Sequence, residues 1–398
     1  MEKTAAFPVS FPVLYRLAPH DPAGHRYRIT LTVQAPTPEG QQLSLPAWIP
    51  GSYLIRDFSR QIESVAAYSG NRRVVVDKID NHTWQAAPCD GPLRVEYTVY
   101  AWDLSVRGAH LDETHGFFNG TSVFLRVHGQ DHLPCLVDLA PPRGIDGWKV
   151  YTSLPEARGH KGAARRHGFG LYLAPDYDAL IDHPVEMGTP QVASFTAHGA
   201  EHELVFTGVA PNLDLARITA DVRKICETQI AFFEPRSKRA PFLDSSDRYV
   251  FMTMVTGDGY GGLEHRASTA LMTARKDLPV LGQQGQGLSL IHILMVSTAT
   301  AVLPVWRSPM ISSRWPRPMG TIESIALMPV CSGCDTERRA ITPGATFSMM
   351  SVALALTGPL PSIGSPSVLT TRPFSSGPTG TSRMRPVVLT ASPSDTPV

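Results

Sequence analysis

Cysteine is scarce in this sequence, and the five residues present are odd in number: Cys89, Cys135, Cys226, Cys331 and Cys334. So sparse a set is more typical of reduced thiols than of a disulfide framework. Apolar runs long enough for a membrane helix are missing as well, and no apolar segment follows a basic start in the first twenty residues. We therefore expect a cytoplasmic protein that makes no membrane contact.

Charge is low in amount and balanced in sign. Asp, Glu, Lys and Arg make up 18% of the residues, and the formal net charge is +1. Nucleic acids and anionic membrane surfaces are bound through an excess of positive charge, which this sequence does not have. We expect no nucleic-acid partner.

The composition changes near residue 287. Lys276 is the last lysine and Tyr260 the last tyrosine, whereas fourteen prolines and only four acidic residues follow Gly287. Neither the helical nor the strand period persists beyond that point, where proline repeatedly follows serine or glycine. We predict three parts: residues 1–190, residues 191–286, and a disordered Pro/Ser/Thr-rich tail over residues 287–398.

Short alternating segments dominate the first part. Examples are the segments 27–33, 93–100 and 122–127, in which apolar and polar residues alternate and β-branched and aromatic residues are frequent. This period of two predicts strands, and many short strands in succession predict an antiparallel sandwich or a curved sheet. The first part is therefore predicted to be β-rich.

The second part combines strands with one helix, which makes the fold class α+β. Apolar residues recur at three- and four-residue steps from Leu213 to Phe233 and predict an amphipathic helix, capped by Asn212 or Asp214. Strands are predicted over residues 203–208 and 248–255. The glycine-rich segment 257–262 is predicted to be a turn, and a further strand is predicted from Leu263 to Met272.

Five blocks of sequence, in order, resemble the glycyl aminopeptidase family, zinc metallopeptidases that often carry a PDZ domain near the C-terminus. The blocks are Pro46–Arg60, Asp103–Arg107, Gly116–Ser122, Tyr177–Gly188 and Gly259–Ser268. The resemblance covers roughly residues 8–282. It implies that residues 191–286 are the truncated start of a thermolysin-like catalytic domain.

The resemblance also implies a chemistry of which only part is present. Such enzymes hold zinc with a His-Glu-x-x-His helix, whose glutamate activates the bound water. That motif occurs nowhere in the 398 residues, so we expect no zinc and no catalytic or metal-ligating residue in this chain, although the intact family uses zinc. What remains is Gly261-Gly262-Leu263-Glu264. By resemblance, Glu264 binds the free α-amino group of a peptide substrate, while Gly261 and Gly262 allow the backbone to approach closely.

From spacing alone, Gly261-Gly262-Leu263-Glu264 is more simply a tight turn followed by an exposed charged edge strand, whereas the surrounding blocks favour the role in substrate binding.

Two other groups of residues have simpler interpretations. We interpret His110, Asp112, Glu113 and His115 as a polar loop between strands, because their spacing fits no regular ligand pattern. Cys331-x-x-Cys334 has the spacing of a zinc or redox pair but lacks a second pair, and we interpret it as chance.

The tail has features of a non-native sequence. Residues 288–293 match the translation of a transposase adapter used in library preparation. The DNA strand complementary to the codons for residues 295–315, translated in a shifted frame, resembles the phosphate-loop region of an ATP synthase alpha subunit. The tail itself contains no phosphate loop, so it gives no indication of nucleotide binding.

Taken together, the sequence predicts a fragment of a zinc-dependent aminopeptidase that is itself inactive. The intact enzyme is expected to remove N-terminal residues from peptides, with glycine or alanine preferred by resemblance. The alternative is a β-domain that binds peptides or a partner protein without catalysis.

Overall fold

Buried and exposed side chains alternate along most of the first 190 residues, which is the period of a β-strand, and these residues form strands. The computed structural model describes residues 11–208 and 210–282 of the chain. The strands described up to residue 190 are β1 (Val13–Asp21), β2 (Arg26–Val33), β3 (Gln42–Ser44), β4 (Ile62–Ser69), β5 (Arg72–Val74), β6 (Val76–Lys78), β7 (Thr83–Ala86), β8 (Leu93–Tyr100), β9 (Ala109–Leu111), β10 (His115–Phe118), β11 (Arg126–Val127), β12 (Cys135–Leu139), β13 (Lys149–Tyr151), β14 (Gly170–Ala174) and β15 (Val185–Gly188). A short helix, α1 (Tyr177–Ile181), precedes β15, and 3-10 turns cover Phe58–Gln61 and Gly120–Ser122.

These strands form three sheets. The largest has seven strands in the order β14-β12-β1-β2-β8-β4-β5, and two sheets of four strands have the orders β13-β15-β10-β9 and β11-β3-β7-β6. Pairing in the seven-stranded sheet is antiparallel except between β1 and β12, which run parallel. The prediction of a β-rich first part is confirmed.

Buried tyrosines explain why one predicted strand is mostly absent. Residues 122–127 alternate like a strand, yet only Arg126–Val127 pairs in a sheet. The hydroxyl groups of Tyr97, Tyr177 and Tyr15 instead donate to the carbonyls of residues 123, 124 and 125, at 2.7, 2.8 and 2.7 Å. Because side chains satisfy these buried carbonyls, the segment crosses the core without a neighbouring strand.

The second part contains a five-stranded sheet and one long helix. Its elements are β16 (Gln191–Ala197), β17 (Ala200–Thr207), α2 (Leu215–Phe233), β18 (Arg248–Thr256), β19 (Tyr260–Glu264) and β20 (Ser268–Ala274), with 3-10 turns at Pro241–Asp244 and Arg275–Asp277. The sheet order is β16-β17-β18-β20-β19, and β18 runs parallel to both β17 and β20. Helix α2 makes the crossover between β17 and β18, as a parallel pair requires.

The sheet of the second part is covered on both faces. Ile218, Val222 and Ile230 of α2 pack with Phe206 and Phe251 on one face. Residues of the other face, among them Val250, Leu263 and Ala270, belong to the core of the first part. Burial on two faces explains why β18 is an almost unbroken apolar run instead of an alternating one.

Helix α2 begins close to where the sequence predicts it. The side chain of Asp214 accepts a hydrogen bond from the backbone N–H of Arg217 at 3.0 Å, so Asp214 is the cap. Leu213 lies outside the helix because it forms a β-bridge with Val280. Neither of the two described helices is long and apolar enough to cross a membrane. The tail with its adapter-like segment 288–293, and the pair Cys331 and Cys334, lie outside the described residues.

Candidate functional site

Strand β19 carries all three residues that the sequence assigns to substrate binding. Among the described residues it lies at the edge of its sheet and pairs antiparallel with β20 on one side only, with Gly261 opposite Met272 and Glu264 opposite Thr269. Gly261, Gly262 and Glu264 are half-buried, whereas the side chain of Tyr260 is 66% exposed. The prediction that Gly261 and Gly262 belong to a turn is wrong, since pairing with β20 draws both glycines into the strand.

The open edge of β19 presents the backbone groups of alternate residues. The N–H of His265 donates to the carbonyl of Ser268 at 2.8 Å, which fixes this pair as a hydrogen-bonded one. In an antiparallel ladder such pairs alternate, so Leu263 and Gly261 also bond to β20. The N–H and C=O groups of Gly262 and Glu264 therefore point away from β20, toward the open edge.

A loop of the first part packs directly on this strand. Gly51, in the block 46–60, has a positive φ of +81°, and a Cβ atom placed on it would lie 2.8 Å from Cδ1 of Leu263 and 3.8 Å from Oε1 of Glu264. Hydrogen bonds within the loop fix its shape. The indole of Trp48 donates to the Ser52 carbonyl at 2.7 Å, and Nε of Arg56 donates to the Ser52 hydroxyl at 2.8 Å. Only glycine fits position 51, for both contact and conformation.

A second loop reaches the open edge itself. Nη2 of Arg107, from the block 103–107, donates to the carbonyl of Gly262 at 3.4 Å. Its neighbour Val106 lies 3.5 Å from where a Cβ on Gly261 would be. Burial lowers the pKa of Arg107, and the nearby Arg56 cation lowers it further, while the Glu264 carboxylate raises it. Arg107 thus carries its charge into the same space as Glu264.

A third contact comes from the block 177–188. His265 Nδ1 lies 3.1 Å from Oδ1 of Asp182, and the N–H of Arg266 donates to Oδ2 of Asp182 at 3.2 Å. Burial raises the pKa of Asp182, but the hydrogen bond from His265 and the nearby positive charges outweigh it, so that the pKa lies below its ordinary value. Asp182 is therefore an anion that holds the turn after β19 by contacts with His265 and Arg266.

The structure thus brings together segments that are far apart in the chain. Three of the five resembling blocks contact the last one, residues 259–268, through Gly51, Arg107 and Asp182. No local pattern in the sequence identifies Arg107 as a neighbour of Gly262, because 155 positions separate them. The resemblance predicted a binding role for Gly261, Gly262 and Glu264, but it assigned none to Arg107.

The His110 group lies elsewhere, and its predicted description as a loop is wrong in part. His110 lies in β9 and His115 begins β10, while Asp112 and Glu113 form the turn between these paired strands. Only residues 112–114 lie between β9 and β10, because these strands pair as a hairpin. Both imidazoles therefore belong to strands and not to a loop.

The residues around β19 do not fit a peptidase zinc site. The neighbouring imidazole of His265 is buried and tied to Asp182, and no His-Glu-x-x-His occurs in the 398-residue sequence. Among the residues 11–208 and 210–282, the one group of three or more possible ligands is His110, Asp112 and His115. No step through a catalytic zinc ion is therefore assigned to this chain.

Comparison with known proteins agrees with the arrangement of the first part. The family model of the Peptidase M61 N-terminal domain matches residues 14–189. An aminopeptidase N family protein from Idiomarina loihiensis is similar in structure, with 43% sequence identity and a TM-score of 0.67, over 73% of this chain and 47% of the other. This chain therefore spans less than half the length of that protein.

More distant similarity is found to an M1 zinc metallopeptidase from Deinococcus radiodurans, with 11% identity and a TM-score of 0.41, over 72% of this chain and 63% of the other. No curated protein sequence matches the chain. Residues 14–189 are therefore similar to the N-terminal domain of M61 peptidases.

Proposed function

We propose that the chain is a fragment of a zinc-dependent aminopeptidase, in which the open edge of β19 binds the N-terminal residues of a peptide. In this proposal residues 191–286 are the start of a thermolysin-like catalytic domain, and glycine or alanine is the preferred N-terminal residue. The observation that carries the proposal is the position of Glu264 beside an unpaired strand edge, enclosed by Gly51 and Arg107.

A peptide can pair with β19 as an added strand. The outward backbone groups of Gly262 and Glu264 offer donors and acceptors at strand spacing, which is how extended peptides bind to a sheet edge. The carbonyl of Gly262 is held at 3.4 Å by Arg107, a long hydrogen bond that a substrate N–H can replace. Glycine at positions 261 and 262 adds no side chain of its own to this part of the strand.

Glu264 supplies the selectivity for an amino terminus. A carboxylate bonds strongly to an ammonium group and makes no demand on the side chain of the residue that carries it. Gly51 leaves Oε1 of Glu264 uncovered, since its missing side chain would point toward that oxygen. A peptide whose amine is blocked would lose this interaction.

We also propose that the 398-residue chain is inactive and that the sequence after Gln286 is not native. No His-Glu-x-x-His follows β19, and the composition changes at this point. The DNA of the source locus after the codon for Gln286 tests this directly. We expect an open frame that encodes His-Glu-x-x-His within a short distance, whereas a locus that encodes the segment 288–293 without interruption would refute it.

Activity assays test the proposed enzyme. The 398-residue chain with added zinc should not hydrolyse glycine or alanine p-nitroanilide, whereas the chain completed from the locus should. In the completed enzyme, Glu264→Gln should lower kcat/KM roughly 10- to 100-fold, the effect of losing one hydrogen bond to a charged group. Zinc-dependent hydrolysis by the 398-residue chain would contradict the proposal.

A further inference from the structure

Two imidazoles and a carboxylate converge on the hairpin of β9 and β10. One ligand atom each from His110, Asp112 and His115 lies within 4.8 Å of the others. The side chain of His110 is 4% exposed and that of His115 12%, while that of Asp112 is 29% exposed. The group is therefore enclosed on the side of the imidazoles and open to solvent at the carboxylate.

Hydrogen bonds fix the orientation of Asp112. Its Oδ1 accepts from the N–H and the hydroxyl of Thr114, at 2.7 and 2.6 Å, and from the N–H of His115 at 2.9 Å. Its Oδ2 takes no part in these bonds and lies 3.2 Å from Nε2 of His110. One carboxylate oxygen thus holds the turn, and the other faces the imidazoles.

His115 is oriented by a second carboxylate. Its Nδ1 lies 3.1 Å from Oε1 of Glu186 in β15, whose side chain is 1% exposed. Histidine ligands of metals commonly donate their other ring N–H to a carboxylate, which fixes the tautomer and makes the free nitrogen more basic. Glu186 therefore leaves Nε2 of His115 as the nitrogen that is available to a metal.

His110 lies between the carboxylate and the second imidazole of the group. Its ring centroid is 4.9 Å from that of His115, and its Nε2 is 3.2 Å from Oδ2 of Asp112. Its Nδ1 is buried and has no hydrogen-bond partner among the residues that the structure describes. With the proton on Nδ1, Nε2 keeps its lone pair beside Oδ2 of Asp112, which is the arrangement that a cation can bind.

The distances suit a small transition metal. Zinc bonds to nitrogen and oxygen are about 2.0–2.2 Å long, so two ligands of a tetrahedral site lie about 3.4 Å apart. The 3.2 Å between His110 and Asp112 is close to that separation. The separations within the group, all 4.8 Å or less, need the third ligand to move inward by at most about 1.4 Å.

We propose that His110, Asp112 and His115 bind one divalent transition-metal ion, with Zn²⁺ the best match to two imidazoles and one carboxylate. Glu186 is the positioning residue that holds His115. The ion would fasten the β9–β10 hairpin to β15, and water would occupy its fourth position on the exposed side of Asp112. None of these four residues lies in β19.

Titration of the tag-free 398-residue chain with Co²⁺ tests the proposal. Cobalt replaces zinc and has a visible spectrum that distinguishes nitrogen and oxygen ligands from thiolates. Cys331→Ser and Cys334→Ser are introduced into every protein, so that this cysteine pair cannot bind the metal. We expect saturation at one Co²⁺ per chain, displacement by Zn²⁺, and a higher thermal midpoint with metal than without it.

Three substitutions and one control decide the location. Asp112→Asn, which keeps the Oδ1 acceptor that holds the turn, and His115→Gln should abolish saturable binding. Glu186→Gln should weaken it roughly 10- to 100-fold. His82→Gln removes an exposed histidine that lies 3.6 Å from Asp80, and it should leave binding unchanged.

Circular dichroism of the metal-free proteins shows which variants fold. If His115→Gln does not fold, Asp112→Asn alone tests the location of the metal site. Absence of saturable binding in the folded parent, or binding that Asp112→Asn does not reduce, would overturn the proposal.

Discussion

Gly51 is the residue at which the loop of the first part meets β19. Replacing it by alanine adds a Cβ atom 2.8 Å from Leu263 to a backbone with φ of +81°. We expect Gly51→Ala to lower the free energy of unfolding by about 2–4 kcal/mol, the sum of backbone strain and overpacking. Urea denaturation of the purified chain measures this.

Gly129 provides a matched control for that substitution. Its φ is +82°, but nothing lies within 4 Å of the Cβ position. Gly129→Ala should therefore cost only the strain of the backbone, about 1 kcal/mol. Equal losses in the two variants would show that the loop does not pack on β19.

His202 should make the stability of the second part depend on pH. Burial lowers its pKa from an ordinary value of 6.5 to about 4, so the ring stays neutral in the folded protein where the unfolded chain protonates. This contribution is fully present above pH 6.5 and is lost as the pH falls toward 4. The loss amounts to at most about 3 kcal/mol.

A variant isolates that contribution from those of other groups. His202→Phe keeps a ring beside Phe195, whose centroid lies 4.8 Å away, but cannot take up a proton. Its free energy of unfolding should fall less steeply between pH 6.5 and 4 than that of the parent or of a control with the exposed His198 replaced by Gln. Parallel pH profiles would refute the assignment to His202.

Single residues of the site could be predicted only through blocks of sequence. The resemblance placed Gly261, Gly262 and Glu264 in one binding segment, and they share β19. The ligand group of His110 and Asp112 was interpreted as a loop because linear spacing does not show how a hairpin folds two strands together. Glu186, which orients His115, is 71 positions away and gives no local signal.

At the scale of elements, the start of α2 depends on one carboxylate. Asp214 accepts from the N–H of Arg217 at 3.0 Å, a bond that alanine cannot make. Asp214→Ala should lower the free energy of unfolding by about 1 kcal/mol, whereas Asp214→Asn should have little effect because asparagine caps helices as well. Equal stabilities of the two variants in urea denaturation would argue against this cap.

Elements with one dominant period could be predicted well, and elements shaped by distant contacts could not. The apolar stripe of α2 predicted the start of the helix to within two residues, since the segment has no competing strand period. The segment 122–127 has the period of a strand, but three tyrosine hydroxyls satisfy its carbonyls. Glycine content predicted a turn at 261–262, and pairing with β20 made it a strand.

At the scale of the whole molecule, a buried ion pair joins the two parts. Nη2 of Arg248, at the start of β18, donates to Oε1 of Glu156 at 2.6 Å, and their side chains are 3% and 5% exposed. Glu156→Gln should lower the free energy of unfolding by about 2 kcal/mol, because it leaves the buried guanidinium with only the exposed Asp247, 2.8 Å away, as a charge partner. Chemical denaturation measures the change.

The exposed pair of Arg223 and Glu227 on α2 is the control, with 57% and 38% of the side chains accessible. Glu227→Gln should cost less than about 0.5 kcal/mol, since exposed pairs four residues apart on a helix contribute little. If Glu156→Gln costs no more than that, the ion pair does not hold the two parts together.

The proposed function depends on the binding of a free amino terminus by Glu264 at the open edge of β19. Calorimetric titration of the chain with Ala-Ala-Ala and with its N-acetylated form measures this binding, since acetylation removes the charge and two N–H donors of the amine. We expect the free peptide to bind about tenfold or more tightly, and Glu264→Gln to reduce this ratio to near one. Equal affinity for the two peptides, or a preference that survives Glu264→Gln, would contradict it.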